Sequence, residues 1–136
     1  MTFTTELIIK PTDDPNRWQW TIIYDGAAGR QERPYTLVVK DRAKGRYTID
    51  EGQSIEIDTA LIDGTLFSHF VVQGNQISTR ERVENAGTPQ ERLIIEMVTT
   101  NADRARDTGG EGGVPVVRTF APLSLQTAEL RRLPPG

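Results

Sequence analysis

The sequence predicts an all-β protein, an antiparallel up-and-down β-barrel of about eight to ten strands forming one domain over residues 1–136. Three observations carry this. Residues 47–83 read as consecutive hairpin arms whose alternation agrees across every turn. Short turn clusters separate the apolar runs along nearly the whole chain. No amphipathic helix of useful length interrupts them. A sheet of this many twisted strands tends to close on itself, which removes its edges. An open or split sandwich is the rival form.

Residues 2–9 are β-branched and mildly alternating, a first strand. The turn cluster from Lys10 to Asn16 follows. Its Asp13-Asp14 pair could hold a metal, but aspartates also favour solvated turns, which is the preferred reading. Residues 17–24 place Trp18, Trp20, Ile22 and Tyr24 on one face. Such an aromatic face plugs a core or lines a ligand pocket. The loop 25–30 contains glycines, but no helix follows it, so it is not a phosphate cradle. Residues 33–40 put Tyr35, Leu37 and Val39 on one face, and the connection 41–45 sets Val39 opposite Tyr47 and Leu37 opposite Ile49.

The central meander has three turns. A Glu51-Gly52-Gln53 loop sets Ile49 opposite Ile55 and Tyr47 opposite Ile57. Asp63-Gly64 sets Leu61 opposite Leu66, Thr59 opposite Ser68, Ile57 opposite Phe70 and Ile55 opposite Val72. Gly74-Asn75 sets Val72 opposite Ile77, Phe70 opposite Thr79, Ser68 opposite Glu81 and Leu66 opposite Val83. The shared inner face is apolar with a polar stripe, Thr59–Ser68–Glu81. The outer face pairs Val71 with Ser78, His69 with Arg80 and Phe67 with Arg82, and Arg46, Asp58, His69 and Arg80 form one charged row.

Residues 92–99 allow two registers. One puts Ile94, Glu96 and Val98 inside. The other, which the composition prefers, puts Leu93, Ile95 and Met97 inside and leaves Glu96 wet. Residues 101–113 read as a flexible loop, 114–120 as a strand limited by Pro122, 123–130 as a closing strand, and 133–136 as a frayed tail.

Composition narrows the function classes. Hydrophobic residues make up 36% and charged residues 26% of the chain, which suits a folded domain rather than a disordered one. The net charge is −3, and residues 101–136 carry five basic and four acidic side chains, so no basic lobe recommends nucleic acid or an anionic membrane. The absence of cysteine removes disulfides and thiol chemistry. No apolar run approaches a membrane span. The opening residues lack a basic stretch followed by an apolar run, so a cytoplasmic location is expected, although a chain trimmed after export would read the same.

The candidate site is the inner face. Thr59, Ser68, Thr79 and Glu81 point into a space lined by Trp20, Tyr24, Tyr35, Tyr47 and Phe70. A few polar groups in an apolar pocket orient small ligands. A lone buried carboxylate pairs or neutralises, so Glu81 would meet a ligand, Arg92 or water.

Trp18-Gln19-Trp20 near the start and the late arginines Arg118 and Arg131 resemble the calycins, the superfamily of lipocalins, fatty-acid-binding proteins and bacterial lipocalin-like barrels. The resemblance covers most of the chain. Asn16 stands where the lipocalin Gly-x-Trp motif has glycine, and no helix-turn-helix lid separates the first two strands. The resemblance implies a non-catalytic barrel that binds a small, partly apolar ligand in its interior, as a monomer or homodimer.

Two other functions are consistent with the residues. An enzyme would use Glu81 as a buried general acid or base, with Tyr47 or Tyr35 as a hydrogen-bond donor. A filled-core barrel would instead serve as an interaction or dimerisation module through Phe67, Val71 and Arg82 on the outer face. The sole histidine, His69, falls on the outer face, which argues against haem and against a serine–histidine–aspartate set. No cofactor or metal is expected.

Overall fold

The computed structural model of the chain describes residues 3–132. Nine strands follow one another: β1 (Phe3–Pro11), β2 (Arg17–Gly26), β3 (Gly29–Asp41), β4 (Arg46–Gly52), β5 (Ile55–Ile62), β6 (Thr65–Val72), β7 (Asn75–Glu84), β8 (Arg92–Gly109) and β9 (Val116–Arg131). They form a single antiparallel sheet in sequence order, with no helix among the described residues. The expected barrel does not close. β1 and β9 are the two edges of the sheet and are not hydrogen-bonded to each other. The sheet does curl, because both edges line one groove. Closure needs a ladder between the end strands, and here the curl stops short of one.

The tight turns explain where the registers fall. Asp63 and Gly64 both take positive φ, 49° and 78°, as a two-residue hairpin turn with matching twist requires. Leu61 then faces Leu66 and Thr59 faces Ser68, as expected. The next turn is built the same way from Gln73 and Gly74, at 50° and 80°, one residue earlier than expected. Val72 therefore faces Asn75, Phe70 faces Ile77, Ser68 faces Thr79 and Leu66 faces Glu81. Before β5, Gln53 and Ser54 take the positive φ values and a bulge lies between Asp50 and Gly52, so Ile49 faces Ile57 and Tyr47 faces Thr59. Each shift is two residues. A shift of two moves every partner but flips no side chain to the other face.

The inner face thus keeps its expected members, including Trp18, Trp20, Ile22 and Tyr24 beside Leu37, Tyr35, Arg33 and Gln31. Val39 faces Tyr47 and Leu37 faces Ile49, as expected. On β8 the register favoured by composition holds: Leu93, Ile95 and Met97 lie opposite Val83, Glu81 and Thr79. Glu96 is on the outer face beside Arg80. The proposed outer row does not form, because Arg46 faces Ala60, Asp58 faces Thr48, His69 faces Ser78 and Arg80 faces Phe67. Val71 likewise faces Gln76, not Ser78.

The stretch expected as a flexible loop is mostly strand. β8 leaves β7 after Asn101 but stays paired with β9 as far as Gly109 and Val116, making a two-stranded arm. Asp107 and Arg118 clasp it, with Arg118 Nε and Nη2 donating to the two carboxylate oxygens at 2.7 and 3.0 Å. Pro122 does not end the strand. It sits where the β8–β9 register shifts, on the outermost strand, where a missing N–H costs no ladder bond. Residues 114–120 and 123–130 therefore belong to one continuous edge strand, apart from Val114 and Pro115. The tail 133–136 lies outside the described residues.

Burial is shallow. No side chain among the described residues is fully buried; Trp20, Ile23, Ile49 and Ile94 are the most covered apolar ones. The accessible surface is 10045 Å². A compact monomer of this chain's 15.2 kDa would expose roughly 7,100 Å². The excess fits one curled layer that no second layer covers on either face: Trp20, Ile49, Thr59 and Ser68 are buried on the inner face, and Thr21, Ile23, Thr48, Ile94 and Thr100 on the outer one. On the outer face, Ile94 lies between Arg82 and Glu129 of the neighbouring strands.

Candidate functional site: the inner face

Inner-face residues fall into rows that cross the strands. One row runs Val39, Tyr47, Thr59, Ser68, Thr79, Met97, Gln126 from β3 to β9. It contains the polar stripe, with Thr79 in the place expected for Glu81. Thr59 and Ser68 are buried. The Ser68 and Thr79 hydroxyls hydrogen-bond to each other, and Thr59 Oγ1 donates to the Ile57 carbonyl at 3.1 Å. The stripe therefore satisfies most of its own polar groups.

Glu81 stands in the next row, Leu61, Leu66, Glu81, Ile95, Ala128. Its cross-strand neighbours are two aliphatic side chains. No hydrogen bond or ion pair among the described residues engages its carboxylate, and Arg92 lies opposite Glu84 on the other face. Burial alone pushes the Glu81 carboxyl up to about 7. One row further, Val83, Leu93 and Leu130 meet Leu7 and Ile9 of β1 across the open seam. The groove between the edges has a volume of about 890 Å³. Glu6, Glu91, Arg92, Glu129, Arg131 and Arg132 rim it with equal numbers of each sign, and Arg132 pairs with Glu91 at 2.9 Å.

The remaining candidates lie on the same face but at other places. Trp20 pairs with Tyr35 and Tyr24 with Gln31 on the β2–β3 wall. The Tyr35 hydroxyl is pushed up by burial and by the charge of Glu51. Phe70 faces Ile77 near the far end of β6. Tyr47 is separated from Glu81 by β5 and β6, and no hydrogen bond joins Glu81 to Tyr47 or Tyr35 among the described residues.

A feature the sequence does not announce lies between β5 and β6. Both strands are eight residues long, yet they pair only from Ile62–Thr65 to Thr59–Ser68. Beyond that they part, so Ile57 does not face Phe70 and Ile55 does not face Val72. A cleft of about 540 Å³ opens at the fork, lined among others by Arg46, Asp58, Thr59, Ser68, His69 and Ser78. His69 is exposed there. Both strands alternate normally through the fork, so no residue pattern signals it. Asp13 and Asp14 form no metal cluster, since no group of three or more candidate ligands occurs among the described residues. Asp14 instead accepts the Asn16 N–H at 2.9 Å within the turn.

Searches of protein-family models, of curated proteins and of solved structures find no match to this chain.

Proposed function

We propose that the inner face binds a small, partly apolar ligand and that the chain acts as a non-catalytic carrier, in the manner of the calycins it resembles. The observation that supports this is the uncovered inner face. Ile9, Trp18, Tyr24 and Leu61 remain between 36% and 46% exposed on it, next to buried hydroxyls. Apolar surface left open inside a curled sheet is favourable to cover. A groove of several hundred Å³ with an apolar wall of Leu7, Ile9, Val83, Leu93 and Leu130 and a charged rim has the size of a small-molecule site. A filled core, the premise of the interaction-module reading, fits poorly with a chain that exposes so much more surface than a compact monomer.

Titration with anilinonaphthalene sulfonate tests the reading through the two tryptophans, both on this face. Saturable quenching is expected, with one class of sites lost on unfolding. Native mass spectrometry of gently purified protein should then reveal a mass that denaturation releases. An indifferent tryptophan signal across a panel of apolar probes would sink the reading. Light scattering should in that case be used to look for an assembly that covers the face.

A further inference from the structure

We propose that Glu81 receives an ammonium group, so that the ligand is an amphipathic amine whose apolar body lies in the groove between β1 and β8–β9. This rests on the ligand-binding reading above and names the ligand class.

Leu66 and Ile95 flank Glu81 across the neighbouring strands, and Thr79 and Val83 flank it along its own. None of these is ionisable. The acids and bases on β7 and β8 that do pair, Arg80, Arg82, Glu84, Glu96 and Asp107, do so without it. A carboxylate on an apolar wall without a partner is an incomplete ion pair. Its oxygens are not among the buried atoms that lack a partner, so water reaches them, and an arriving cation would complete the pair best.

The surroundings shape the rest of the ligand. Val83, Leu93 and Leu130 lie one row beyond Glu81, roughly 7 Å along the strands. With Leu7 and Ile9 they form the apolar wall of the groove. The Ser68–Thr79 hydroxyl pair lies one row on the other side. A molecule with its amine at Glu81 and a hydrocarbon body in the groove would meet matching chemistry at both ends. A carboxylate at the same place would meet like charge.

The test compares dodecylamine, dodecanol and dodecanoic acid, below their aggregation concentrations, by tryptophan quenching and calorimetry at pH 8. The wild-type chain should bind dodecylamine roughly tenfold or more tighter than dodecanol, and dodecanoic acid more weakly than either. In Glu81→Gln the amine preference should fall to within about twofold while dodecanol affinity stays unchanged. Glu81→Asp, which keeps the charge, should retain part of the preference. Circular dichroism establishes that each variant is folded. Equal affinities for the three probes in the wild type, or an amine preference that survives Glu81→Gln, would overturn the proposal and leave the general ligand-binding reading intact. Failure of all three probes to bind would overturn both.

Discussion

Glu81 and Glu96 stand on adjacent strands and in adjacent rows, yet they face opposite sides of the sheet. On the outer side, Arg82 Nη1 donates to Glu96 Oε1 at 2.7 Å and Arg80 lies 3.6 Å from Oε2. The hydrogen bond from Arg82, helped by the charge of Arg80, holds the Glu96 carboxyl below its ordinary range. On the inner side Glu81 has aliphatic neighbours, and burial pushes it up to about 7. The same side-chain type is thus pulled in opposite directions by a single sheet thickness. On the outer face Glu96 is held by two arginines. On the inner face Glu81 has no such partner among the described residues, and that contrast between the two glutamates is what recommends the inner face as the functional one.

The opposite environments of Glu81 and Glu96 make the stability of the chain depend on pH. The folded chain holds the Glu81 proton up to about pH 7, whereas an unfolded glutamate releases it near 4.5. Stability from this group is therefore full below about 4.5, falls as pH rises through 7, and stays low above it. The difference is on the order of 2–3 kcal/mol, allowing for solvent at a half-buried group. Glu96 and Asp107 work the other way: their stabilisation is present above the ordinary carboxylate pKa and fades as pH falls through their depressed values. Stability should therefore peak in mildly acidic solution, near pH 5. Glu81→Gln should remove the loss on the alkaline side and raise Tm at pH 8 by roughly 5–10 °C. Thermal melts of both proteins from pH 4 to pH 9 check this. Parallel curves would mean that Glu81 is not desolvated in the folded chain.

The inner face was legible in the sequence because side chains alternate with a period of two, and the observed shifts of two residues at Gln73-Gly74 and at Gln53-Ser54 leave that alternation untouched. The rows were not legible. They depend on which two residues take positive φ, and Gly74 serves as well in the second turn position as in the first. This is how Thr79 rather than Glu81 came to face Ser68. The fork between β5 and β6 left no trace, since both strands keep their alternation through it. The β8–β9 arm was hidden for a different reason. Its charged, glycine-rich composition matches a loop, and only the ladder from Ala105–Phe120 to Gly109–Val116 makes it a strand.

The polar groups of the inner face can be ranked against Glu81. Ser68→Ala breaks the hydroxyl pair with Thr79 and leaves Thr79 without that partner. A cost of about 1–2 kcal/mol is expected in urea denaturation. Adding Thr79→Val should cost less than the sum of the two single changes, because the second removes the group that the first stranded. Strict additivity would show that the two hydroxyls are solvated independently, and the stripe would then be a wet surface and not part of a pocket.

The outer carboxylate should matter least. Glu96→Gln removes the acceptor shared by Arg80 and Arg82, but Arg82 keeps Glu84, whose Oε1 takes Nε at 3.1 Å. Both arginines remain exposed enough for water to solvate them. Exposed pairs contribute little and are screened by salt. The urea midpoint of Glu96→Gln should therefore sit slightly below that of the wild type at low salt, and the two should converge by about 0.5 M sodium chloride. The ligand affinities of the variant should not change at either salt concentration, because the side chain faces away from the groove. If Glu96→Gln weakened amine binding as much as Glu81→Gln, the two faces would not be electrically separate, and placing the ligand on the inner side would lose its main support.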